Sequence, residues 1–158
     1  MTTSYTVKLH VYDLSGGMAR ALSPGLVGRQ IVIGLDGIWH TAVVVYGMEW
    51  FYGQGILFEL PGQTQYGSPI QTIDMGNTEI PPEIFREYID ELREIYTMEK
   101  YHLLDNNCNN FTNDVCQFLT GRAIPESITT LPADFLTTPL GQQLRPIIES
   151  MFGQSRYS

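Results

Sequence analysis

The chain opens with a stretch in which apolar and polar residues take turns. Across residues 5–12 (YTVKLHVY), Tyr5, Val7, Leu9 and Val11 fall on one side and Thr6, Lys8, His10 and Tyr12 on the other. That two-residue period belongs to a half-buried strand. On its polar side His10 is expected to be solvated. A connection rich in glycine and proline follows (Ser15-Gly16-Gly17, then Ser23-Pro24-Gly25), with room for one helical turn around Met18–Leu22. Residues 30–33 (QIVI) and 38–46 (IWHTAVVVY) are β-branched and aromatic runs, and Asp36-Gly37 between them is a strong hairpin signal. Two short strands are expected at 50–52 and 56–60, broken at Gly53 and Gly55. The stretch PGQTQYGSP (61–69) has the composition of a loop, and 70–74 reads as a last strand.

The period then changes from two to nearly four. Thr78 is placed to cap a helix whose first turn holds Pro81-Pro82, where missing N–H groups cost nothing. Ile84, Phe85, Tyr88, Ile89, Leu92, Ile95 and Tyr96 form its apolar stripe. A second helix begins near Asn106–Cys108, buries Phe111, Val115, Phe118 and Leu119, and stops at Gly121. Pro125, Pro132, Pro139 and Pro146 divide the remainder into short helices, and the tail after Phe152 is expected to be loose. An antiparallel sheet followed by helices makes the fold class α+β. One domain over residues 5–150 is expected, with a tail at 1–4 and a flexible one at 151–158.

Composition narrows the function classes. Hydrophobic residues make up 43% of the 158 and charged ones 16%, enough for a single core. The 9 Lys+Arg against 17 Asp+Glu leave a net charge of −8, which would repel nucleic acid and an anionic membrane surface. No run approaches the roughly 20 apolar residues of a membrane span, and MTTSYTVKLHVYDL has no unbroken apolar block, so no signal peptide is expected. Two cysteines make no disulfide framework and favour a reducing setting, cytosolic or nuclear.

Chemistry concentrates in YHLLDNNCNNFTNDVCQFLTG (101–121). Cys108 follows Asp105, Asn106 and Asn107, residues that cap helices. A thiol in a first helical turn meets unpaired N–H groups and the positive end of the helix dipole, both of which favour thiolate. It is equally a small residue of the kind that is simply buried. Cys116 lies eight positions on, about 12 Å along a helix, too far for a disulfide, and reads as a packing residue. A nucleophilic cysteine needs a base among His10, His40 and His102. His40 lies in a strand apolar on both sides and needs a named partner there; a satisfied core histidine is its other explanation. His102 is too early to share the first turn with Cys108 but able to face it across a cleft. Asn106, Asn107, Asn109, Asn110 and Asn113 have capping and turn formation as their ordinary explanation; an oxyanion donor is the other. Asn106, Asn107 and His102 are therefore candidate oxyanion or positioning residues. No Cys/His pair has zinc spacing, and neither G-x-S-x-G nor a phosphate-binding glycine loop occurs, so neither metal nor cofactor is expected.

Four segments together resemble a known family: V-K-L-H-V-Y-D-L-S (7–15), G-I-W-H-T (37–41), N-C-N-N-F-T-N (107–113) and F-L-T-G-R-x-I-P (118–125). In this order they resemble the PPPDE-domain proteins, permuted papain-fold cysteine peptidases, and among them the desumoylating isopeptidases. The resemblance implies a papain-like fold with histidine before cysteine, and it assigns His40 and Cys108 as the catalytic dyad. It implies an ion pair between them, acyl transfer to the thiolate and release of a lysine amine from a SUMO-like modifier. It further implies a homodimer, with protein conjugates of the modifier as partners in cytoplasm and nucleus. No third residue of a triad is assigned. Two alternatives remain at this point. One is a protein S-acyl (palmitoyl) thioesterase using the same dyad, which would need an apolar channel built from residues such as Leu103, Leu104, Phe111 and 50–52. The other is a non-catalytic adaptor that binds modified proteins.

Overall fold

The computed structural model describes residues 3–13, 39–101 and 106–129, together with Gln142 and Pro146. The expected helical turn near Met18–Leu22, the strand at 30–33, the Asp36-Gly37 hairpin, His102, the stretch after Pro132 apart from those two residues, and the C-terminal tail lie outside the described residues.

Five strands form one antiparallel sheet: β1 (Tyr5–Asp13), β2 (Trp39–Val45), β3 (Met48–Gly53), β4 (Gly55–Glu59) and β5 (Gln71–Thr78). Their order across the sheet is β4-β3-β2-β1-β5. The alternation read from β1 holds, with Val7, Leu9 and Val11 buried. β2 runs directly into β3 through Tyr46 and Gly47, with Val45 paired to Met48. Both turn residues have positive φ, 55° and 80°, the backbone of a type I′ hairpin, and glycine at the second position makes it inexpensive. The last strand is longer than its composition suggests, because β1 pairs with it as far as Tyr5 opposite Thr78.

Helices α1 (Pro82–Leu92), α2 (Cys108–Thr120) and the short α3 (Glu126–Thr129) follow the sheet. The start of α1 differs from expectation. Thr78 ends β5, and its hydroxyl accepts the N–H of Ile80. The cap position is Pro81, held extended (ψ 153°) as a residue before proline must be, and Pro82 opens the helix. The apolar stripe is also narrower: Phe85, Ile89 and Leu92 are buried, whereas Ile84 and Ile95 are exposed. α2 matches its sequence signals, from the capping Asn107 to Gly121 in the left-handed conformation (φ 77°).

The main core lies between the helices and one face of the sheet. Val7, Leu9, Val11, Val43, Val45, Trp50 and Tyr52 meet Phe85, Ile89, Phe111, Val115 and Leu119 there. Phe85 joins α1 to the sheet, edge-on to Trp50 with ring centroids 5.2 Å apart. α2 is tied to α1 by Tyr88 stacked on Phe118 at 3.8 Å. The opposite face of the sheet carries His10, Tyr12, His40, Glu49 and Phe51, all wholly or mostly buried.

Candidate active site

Cys108 is the first residue of α2 and is fully buried. The turn beneath it is a reciprocal capping box. Asn107 accepts N–H bonds from Asn109 (2.9 Å) and Asn110 (3.2 Å), and the Asn110 side chain accepts the Asn107 N–H at 2.8 Å. The sulfur is met by the backbone N–H groups of Thr41, Asn109 and Cys108 itself and by the Tyr101 hydroxyl. Each of these donors favours thiolate, yet burial outweighs them and pushes the thiol up to about 12. The thiol donates weakly to Asn109 Oδ1, 3.7 Å away.

β2 reaches this helix start through its threonine. The Thr41 hydroxyl donates to Asn109 Oδ1 at 2.7 Å and lies 2.6 Å from Thr112 Oγ1. Asn109 returns its amide N–H to the carbonyls of Trp39 (3.0 Å) and Ile128 (3.3 Å). Residues 39–41 and 107–112 are thereby locked into one corner, although about seventy positions separate them along the chain.

His40 lies in that corner, one residue before Thr41, and is fully buried. Neither ring nitrogen has a hydrogen-bond partner among the described residues. Burial alone lowers its pKa to about 3, so the imidazole is neutral. Burial of both groups therefore works against the expected ion pair. Desolvation holds thiol and imidazole uncharged, and no hydrogen bond joins them. The imidazole packs instead among rings: Tyr66 at 3.8 Å, Tyr12 at 5.6 Å and Phe51 at 5.9 Å between centroids.

The remaining candidates fall into other places. Asn106 turns its amide N–H toward the carbonyls of Lys100 (3.1 Å) and Ile95 (3.3 Å), while Asn107 gives its side-chain oxygen to the cap. Asn113 accepts the N–H of Ile124 at 3.0 Å. His102 lies outside the described residues. Cys116 is fully buried in the body of α2, where burial pushes its thiol up to about 12. His10 is not solvated; its Nδ1 lies 3.1 Å from the buried carboxyl of Glu49, beneath the loop that follows β4. Of the apolar channel expected beside Cys108, Phe111 and Tyr52 are core side chains, and Leu103 and Leu104 lie outside the described residues.

Residue-by-residue reading missed Thr41, Tyr101 and Asn109 as partners of the thiol. Two of them lie inside the quoted motifs, Thr41 beside His40 and Asn109 beside Cys108, and that adjacency was the available signal. Tyr101 carried none. Among the described residues, no group of His, Cys, Asp and Glu is placed to hold a metal ion, and no helix is long and apolar enough to cross a membrane.

Known proteins share this arrangement of sequence. The chain is 50% identical to Desumoylating isopeptidase 1 of Xenopus laevis over 149 residues, which are 93% of this chain and 86% of that protein. It is 52% identical to Desumoylating isopeptidase 1 of Rattus norvegicus and 50% identical to that of Homo sapiens, each with the same coverage. Residues 5–149 match the PPPDE putative peptidase domain, so the chain belongs to the PPPDE peptidase family.

Proposed function

We propose that this protein is a cysteine isopeptidase that removes a SUMO-like modifier from lysine side chains, with Cys108 as nucleophile and His40 as general base and acid. The supporting observation is the corner in which the Cys108 sulfur, at the first turn of α2, meets the backbone N–H of the residue after His40. Half-identity to three desumoylating isopeptidases across most of the chain supplies the modifier class.

A neutral imidazole and a neutral thiol are a workable start for general-base catalysis. The modifier's C-terminal carbonyl must reach the buried pair and draw the two side chains into hydrogen-bond reach, a tightening common when substrate binds. His40 then takes the thiol proton as sulfur bonds to the carbonyl carbon. The carbonyl oxygen gains the negative charge, and the Thr41 N–H at the sulfur would receive it. As the intermediate collapses, the C–N bond breaks and His40 returns its proton to the departing lysine amine. Water hydrolyses the thioester through the same imidazole, regenerating the thiol. We also propose that the active species is a homodimer working in cytoplasm and nucleus.

The test is intact-mass detection of an adduct with SUMO bearing a C-terminal electrophile, alongside cleavage of a SUMO–lysine isopeptide conjugate. One adduct per chain and conjugate cleavage are expected for wild type, and neither for Cys108→Ser or His40→Ala. A folded wild-type chain that forms no adduct and cleaves no conjugate would overturn the proposal.

A further inference from the structure

The face of the sheet turned away from α2 holds a buried assembly that the chemistry above does not use. Its centre is Glu49, fully buried on β3. Oε1 accepts the N–H of Gly62 at 2.9 Å and lies 3.1 Å from His10 Nδ1. Oε2 accepts the Tyr12 hydroxyl. Burying a carboxyl group usually stabilises a fold less than an apolar side chain of the same volume would. Packing alone therefore gives no reason for a glutamate here, and what it organises becomes the question.

The bonds lead outward from Glu49 in a continuous line. The Tyr12 hydroxyl, held by Glu49, also receives the hydroxyl of Thr64, itself buried within the loop 61–69. Thr64 Oγ1 accepts the backbone N–H of Tyr66 at 3.2 Å. Gly62 and Thr64 thus fasten one loop to β1 and β3 at two points. The ring of Tyr66 lies over the imidazole of His40, with centroids 3.8 Å apart and planes inclined by 33°. Tyr12 and Phe51 close the remaining sides. Among the described residues His40 has no hydrogen bond on either nitrogen, so ring contact is what sets its orientation.

We propose that Tyr66 is the positioning residue for His40, taking the place that a hydrogen-bonding third member holds in a triad, and that Glu49 fixes Tyr66 through Tyr12 and Thr64. The proposal rests on His40 being the base, as proposed above. Neither Glu49 nor Tyr66 takes part in a bond change. A stacked ring has one property that a hydrogen-bonded carboxylate lacks: it orients the imidazole and leaves both nitrogens available for proton transfer.

The experiment measures turnover of a SUMO C-terminal coumarin amide by the full chain, with the His40 Hε1 resonance followed by NMR. Tyr66→Ala is expected to lower kcat by about ten- to a hundredfold with KM within about twofold, the scale of misplacing a catalytic group. Tyr66→Phe keeps the ring and should retain wild-type kcat. Glu49→Gln should lower kcat in the same direction as Tyr66→Ala. The ring-current shift of His40 Hε1 should be lost in Tyr66→Ala and Glu49→Gln and kept in Tyr66→Phe. Wild-type kcat and an unmoved resonance in Tyr66→Ala, with His40→Ala and Cys108→Ser inactive, would overturn the positioning role and leave the dyad standing. A raised KM with unchanged kcat would overturn it too, since Tyr66 would then be a substrate contact. Turnover by His40→Ala would overturn the dyad and the inference together. Tyr66 is only half-buried and sits on a loop, so its two variants decide the question even where Glu49→Gln fails to fold.

Discussion

Burial acts on Cys108 and His40 in opposite directions and leaves both uncharged. For the thiol the consequence is kinetic. A rise from 9.0 to about 12 leaves about a thousandfold less thiolate near neutrality than an unshifted cysteine has. Iodoacetamide should therefore alkylate Cys108 of the unliganded chain slowly at pH 7, and the rate should climb about tenfold per pH unit up to pH 10. A rate already level between pH 5 and 7 would show a standing thiolate–imidazolium pair instead. For the imidazole the consequence is thermodynamic. Its folded pKa of about 3 lies below the unfolded value of 6.5, so between these limits the unfolded chain binds more protons. Stability is whole above pH 6.5 and is lost as pH falls toward 3, by about 3 kcal/mol at pH 4. His40→Phe, which keeps a ring in the aromatic box, should flatten the difference between urea midpoints at pH 7 and pH 4. An unchanged difference would place the acid sensitivity elsewhere.

At the scale of elements, the first turn of α2 decides how the nucleophile is presented. Asn107 satisfies two N–H groups of that turn through one oxygen. Asn107→Ala should cost about 1 kcal/mol, seen as a lower Tm. Asn107→Ser caps as well as asparagine, so it should keep Tm and turnover alike. Normal Tm with turnover reduced about a hundredfold would instead make the lost amide an oxyanion donor. This element was legible in the sequence because its signals are local: asparagines before Cys108, a 3.6-residue stripe after it, and Gly121 at its end. β1 was legible for the same reason. The start of α1 was misread because threonine is the better cap by type, whereas the two prolines impose the extended backbone that delays the helix to Pro82. Glu49 and His10 were illegible. The alternation of β1 puts His10 on the polar side correctly, but what covers that side is a carboxyl 39 positions away and the loop after β4. The same holds for Thr41 and Tyr66, whose roles exist only once β2, α2 and loop 61–69 are assembled.

Across the whole molecule, the proposed dyad draws its two members from opposite faces of one sheet. The thiol belongs to the helix-covered face, whose core holds Phe85, Phe111 and Trp50, and the imidazole belongs to the face under loop 61–69. Thr41 crosses between them, its hydroxyl on α2 and its N–H at the sulfur. A site built across both faces should keep its geometry only while the whole sheet persists. Phe85 gives a handle far from the chemistry: it is 1% exposed and holds α1 against Trp50 and Tyr46. Phe85→Ala should destabilise the domain by about 3–5 kcal/mol through the cavity it leaves. Both cysteines are fully buried, which makes thiol labelling in urea a reporter of two separate points on α2. Wild type should label Cys108 and Cys116 at one midpoint, coincident with loss of circular dichroism, and Phe85→Ala should move all three midpoints down together. Labelling of Cys108 at a lower urea concentration than Cys116 would show instead that the corner opens locally, with α2 still folded. The dyad would then meet its substrate through that local opening.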